Sequence, residues 1–121
     1  MQVVRISNAS KNTVVAEHAE LATGFFTRLR GLLGRKGLDA GCGMVIRPTD
    51  SIHTFFMAFS IDVVFLDKSG QVIKLMEDMK PGRVSPLVRH SKTVVELPVG
   101  TIARAQIMPG DRLSIPGIPT S

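Results

Sequence analysis

The chain has no tryptophan and no tyrosine; its aromatic side chains are six phenylalanines among 121 residues. Trp and Tyr join a large apolar face to a polar tip, and surfaces that stack on bases or sugars rely on them. Their absence argues against such a surface. Cysteine occurs once, at Cys42. One thiol excludes an internal disulfide and a metal site made of cysteines alone, and it fits a reducing compartment. No apolar stretch approaches the roughly 20 residues that a membrane-spanning helix needs. The opening Met1-Gln2-Val3-Val4-Arg5-Ile6-Ser7-Asn8 has no basic start followed by an apolar run, so no signal peptide is visible. A cytoplasmic protein is the expectation.

What is present suffices for a core. The hydrophobic fraction is 44%, and a chain of this length buries enough surface to fold without disulfide or metal staples. One domain over residues 1–121 is expected, ending in a loose tail at 116–121 where Pro116, Gly117 and Pro119 cluster. Fifteen Lys and Arg against ten Asp and Glu leave a net charge of +5. The basic residues are scattered, which suits solubility and non-specific attraction of polyanions better than a dedicated nucleic-acid face. A weak nucleic-acid binder is the third functional class the charge admits.

Short β patterns dominate. Val3, Val4 and Ile6, then Thr13 to Glu17, read as a hairpin across the polar turn 8–12. Met44 to Ile46, the two halves of Asp50–Asp67, Gln71 to Asp78, Thr93 to Leu97 and Arg112 to Ile115 read as further strands. Asp67-Lys68-Ser69-Gly70 is a tight turn between two of them. One helix is expected from Thr23 to Leu33, where Phe25, Phe26, Leu29, Leu32 and Leu33 share a face at 3.6 residues per turn. Residues 98–105 have room for one or two further helical turns. The fold class is therefore α+β: a mostly antiparallel sheet curled towards a small barrel, with the amphipathic helix packed across it.

Polar residues set into apolar runs are the candidates for chemistry. Asp62 opens Val63-Val64-Phe65-Leu66, and Glu96 lies between Val95 and Leu97. A carboxylate at either place must be paired or hydrogen-bonded, or its pKa rises. With His53 they define a candidate polar pocket, and Arg28, Arg30 and Arg35 supply a basic rim. An anionic small molecule or an acidic partner surface suits that charge. The competing class is a hydrolase-like enzyme using His53 and Asp62, or Cys42 as a nucleophile with His53 or His90 as its base. No His or Cys pair stands at metal-ligand spacing, so no metal or other cofactor is expected. Gly31 to Gly37 is rich in glycine and basic residues, but a helix would end there rather than begin, which rejects a phosphate cradle.

Several blocks resemble a known family. Arg28-Leu29-Arg30-Gly31-Leu32-Leu33-Gly34-Arg35 is similar to the Arg-x-x-Gly-Leu-Met-x-Arg signature of the small prokaryotic family labelled domain of unknown function 192. Gly43-Met44, Asp62 to Asp67 with Gly70, Val94 to Pro98 with Gly100, and Ile107 to Asp111 resemble its later blocks in order. The resemblance spans residues 13–115. It implies a compact β-rich α+β domain and brings no reaction, substrate or cofactor with it. Many members carry Phe-Trp-Met-Lys-Asn-Thr where this chain has Phe55-Phe56-Met57-Ala58-Phe59-Ser60, without the Asn-Thr pair. The expectation is a non-catalytic binding or accessory domain.

Overall fold

The structure, a computed structural model, describes residues 2–22, 35–55 and 57–118. Seven strands carry the fold: β1 (Val3–Asn8), β2 (Thr13–Ala22), β3 (Cys42–Ile46), β4 (Ile61–Leu66), β5 (Val72–Met79), β6 (Thr93–Pro98) and β7 (Leu113–Ser114). They form one sheet in the order β5-β4-β6-β3-β2-β1-β7. Every pairing is antiparallel except β2 with β3, which run parallel from His18–Cys42 to Ala22–Ile46. That parallel pair makes the sheet mixed.

The sheet curls until its two edge strands touch. Gln71, just before β5, bridges Arg112, just before β7. The Val72 amide donates to the Asp111 carbonyl at 2.7 Å, and the Leu113 amide to that of Gly70 at 2.9 Å. Gly70 suits this seam twice over. Its φ is 86°, and a Cβ there would lie 2.9 Å from the Leu113 carbonyl oxygen, closer than side-chain carbons come.

Curling creates an inside and an outside, and β4 and β6 are apolar on both. The inner core takes residues from all seven strands, among them Ile6, Val15, Val45, Val64, Leu66, Val72, Val95, Leu97 and Leu113. An outer core covers one side of β3 to β6 and includes Met44, Ile46, Ile61, Val63, Phe65, Met79 and Val94. This double burial explains why Ile61–Leu66 reads as an unbroken apolar run rather than an alternation.

The hairpins, the Asp67–Gly70 turn and the mixed, curled sheet agree with the expectation. Three details differ. β2 is longer than Thr13 to Glu17, because its second half pairs with β3, a partner distant in sequence. The first half of Asp50–Asp67 is a ribbon segment with an isolated bridge at His53, not a strand of the sheet. In β5, Val72 and Leu75 face the inner core while Ile73 and Met76 pack outside. Strict alternation would pair Ile73 with Leu75; a bulge between the Phe65–Lys74 and Leu66–Val72 pairs shifts the faces.

The expected helix Thr23–Leu33 lies outside the described residues, and with it Arg28 and Arg30. Among the described residues the helix is the single turn α1 (Thr101–Arg104). The described residues therefore lend no support to one main amphipathic helix. A turn at 116–118 carries Ile118 against the inner core, so that stretch of the expected loose tail is anchored.

Candidate binding site on the outer face of the sheet

Cross-strand register decides where each candidate points. Asp62 pairs with Leu97, and Val63 with Glu96. Leu97 belongs to the inner core and Val63 to the outer, so Asp62 faces in and Glu96 faces out. The two carboxyls lie on opposite sides of the sheet and do not share a pocket.

Asp62 is 1% exposed and its acceptors are filled. Its Oδ1 receives the Asp78 amide at 2.9 Å, and its Oδ2 the Gly100 and Ile102 amides, each at 3.0 Å. Asp78 and Gly100 both sit at positive φ, 52° and 96°. Gly100 precedes α1 and has no side chain with which to cap it. Asp62 performs that capping from the neighbouring strand. Its role is structural.

Glu96 is the opposite case. It is 5% exposed, and no hydrogen bond or ion pair engages its carboxyl among the described residues. Burial alone raises its pKa to about 7, because a desolvated carboxylate is disfavoured against its neutral acid. Its neighbours across the strands are Val63 on β4 and Met44 on β3. One strand further, Met44 pairs with Glu20 on β2. The outer face thus presents Glu96, Met44 and Glu20 in one row, with two carboxyls roughly 10 Å apart at the backbone. Glu20 is already neutralised by Arg35, whose Nη2 lies 2.6 Å from its Oε2. Arg35 is therefore engaged by an acid of the sheet.

His53 is exposed and stacks on Phe55, with ring centroids 5.4 Å apart. It stands on a ribbon over the outer face, across the sheet from Asp62, so the structure does not bring these two together. Cys42 is half-buried at the start of β3 and is a free thiol. Its cross-strand neighbour is His18, not His53 or His90, and no hydrogen bond joins the pair among the described residues. Neither arrangement matches a nucleophile held by an oriented base. Among the described residues no group of three or more His, Cys, Asp and Glu could hold a metal ion.

Sequence reasoning singled out Glu96 but did not place Glu20 and Met44 beside it. The alternation of His18, Glu20 and Ala22 places Glu20 on one face of β2, yet only the parallel pairing to β3 brings that face beside Glu96.

The DUF192 family model, described as "Uncharacterized ACR, COG1430", matches residues 5–115. The chain belongs to the DUF192 family. A UPF0127 protein of Thermococcus sibiricus is 34% identical over 110 residues, covering 88% of this chain and 71% of that protein. A UPF0127 protein of Pyrococcus furiosus is 33% identical over 109 residues, with 88% and 93% covered. A crystal structure of a Sinorhizobium meliloti protein, provisionally described as a transcription regulator, superposes with a TM-score of 0.78 at 26% identity, covering 93% and 92% of the two chains. A protein of unknown function from Novosphingobium aromaticivorans gives a TM-score of 0.81 at 22% identity, with 94% and 86% covered, which shows that the DUF192 fold is shared. No helix of the described residues is long and apolar enough to cross a membrane.

Proposed function

We propose that this DUF192 protein is a non-catalytic binding domain whose ligand-contacting group is Glu96. One observation carries the reading: a carboxyl that is buried, without a partner among the described residues, and set between Met44 and Val63 on the outer face. Buried polar groups are nearly always satisfied, and the exceptions cluster where a ligand completes them. Glu96 wants a hydrogen-bond donor, best an amine that ionises it and pairs with it. The sequence reading of an anionic small molecule needs a free cation there. Arg35, the cation in the same row as Glu96, is held by Glu20, which favours the amine. The Glu20–Arg35 pair would form the rim of the same row.

Separation of His53, Asp62 and Cys42 weighs against the hydrolase alternative. Absent Trp and Tyr weigh against nucleic acid, whose signature would be retention on DNA that falls steeply with salt. The lone thiol accords with a cytoplasmic setting.

Butylamine and butyrate, matched in carbon skeleton, test the proposal by thermal shift at about pH 8, where Glu96 is mostly ionised. Butylamine should raise the melting temperature of the wild type, butyrate should not, and Glu96→Gln should abolish the amine effect. Stabilisation by butyrate, or an amine effect that survives in Glu96→Gln, would contradict it.

A further inference from the structure

Above the outer core lies a two-stranded ribbon formed by residues 50–55 and 83–88. His53 and Val84 pair as an antiparallel bridge. Around that bridge the Thr54 amide donates to the Arg83 carbonyl at 2.8 Å, the Ser85 amide to Ile52 at 2.9 Å and the Val88 amide to Asp50 at 2.8 Å. Two buried hydroxyls lock the ribbon further. Thr54 Oγ1 donates to the Lys80 carbonyl at 2.6 Å and accepts from the Arg83 amide at 2.9 Å. Ser85 Oγ accepts from the Ile52 amide at 2.9 Å. Ile52 and Val88 point inward and belong to the outer core.

The outward side is unlike the rest of the surface. Six large apolar side chains of the described residues are exposed, and three of them, Phe55, Val84 and Leu87, fall on this ribbon. Val84 is 61% and Leu87 77% exposed, so they protrude and do not line a groove. Between Met79 and Val95 there is no acidic residue, while Lys80, Arg83, Arg89, His90 and Lys92 are basic and exposed. Lys80 is paired with Asp78; the others are not in an ion pair among the described residues. Asp50 is the one acid on the ribbon.

We infer that this ribbon docks the protein on an anionic lipid bilayer, with Phe55, Val84 and Leu87 entering the interface and Arg83, Arg89 and Lys92 facing the headgroups. A rigid ribbon holding its apolar side chains clear of the surface needs no shaped pocket in its partner, and a bilayer offers none. The surrounding positive charge complements acidic headgroups, and the two signals together give reversible attachment where either alone is weak. An acidic protein partner would share the charge but would have to supply separate pockets for protruding side chains. The inference stands independently of ligand binding at Glu96.

Flotation with phosphatidylcholine vesicles, with and without phosphatidylglycerol, tests it at low salt. The wild type should float only with the phosphatidylglycerol vesicles. Leu87→Asp should weaken that binding by about tenfold or more, the scale of withdrawing an immersed leucine, and Arg89→Glu should also weaken it. Val99→Asp, an exposed apolar position elsewhere, should not. Unchanged melting temperatures show that the variants fold; if Leu87→Asp does not, Leu87→Ala should give a smaller loss in the same direction. Equal binding to neutral vesicles, no flotation, or full binding by a folded Leu87 variant would overturn the inference. So would capture of an acidic peptide without vesicle binding, which would assign the ribbon to a protein partner.

Discussion

Asp62 and Glu96 show how one step of register separates two carboxyls in one sheet. Both interrupt apolar runs, and both are nearly inaccessible to water. Asp62 meets three backbone amides and becomes the joint between β5, the β6–α1 turn and the inner core. Removing it leaves those amides without acceptors in a dry interior. Asp62→Ala should therefore cost about 3 kcal/mol or more in a denaturant unfolding experiment. Glu96 meets apolar neighbours and carries the desolvation penalty uncompensated, which is why its pKa rises to about 7. The sequence shows that each carboxyl needs an answer. It does not show which of them receives one, since Leu97 and Val63 face opposite sides only once β4 and β6 are in register.

At the scale of elements, legibility followed the sequence distance of the partners. The β1–β2 hairpin, the β4–β5 turn and the Pro109–Asp111 turn are local, and their turn residues name them. The parallel β2–β3 pair joins segments some twenty residues apart, and nothing in either strand announces the other. The ribbon was half legible. His53 and Thr54 sit in an apolar stretch that resembles a strand, but its partner is a loop rich in Pro and Gly, so it lies over the sheet rather than in it. The β5–β7 seam depends on one residue that was legible for a different reason. Gly70 was expected at a tight turn; its place against the Leu113 carbonyl adds a steric requirement. Gly70→Ala should lose about 2 kcal/mol of stability from strained backbone and the opened seam. Thermal unfolding compared with an alanine at Gly37, where a Cβ meets nothing within 4 Å, isolates that effect.

For the molecule as a whole, the curled sheet assigns its two faces different work. The inner face is packed from every strand and sealed at the β5–β7 seam, and it serves stability. The outer face carries the buried acid, the Glu20–Arg35 pair and the covering ribbon, and the proposed binding belongs to it. This division rests on Glu96 being an ionisable group without a partner among the described residues, and linkage gives that a sign. A carboxyl whose folded pKa lies above its unfolded value of 4.5 makes the folded state bind the extra proton. Stability then falls as pH rises from about 4.5 to about 7, and above that the loss is complete. Unfolding free energies of the wild type and Glu96→Gln, measured at about pH 5 and about pH 8, test this most directly because every other titrating group is common to both. The wild type should lose roughly 2–3 kcal/mol relative to Glu96→Gln between the two conditions. Parallel behaviour of the two proteins would mean that Glu96 is already satisfied in the free protein, and would contradict the account.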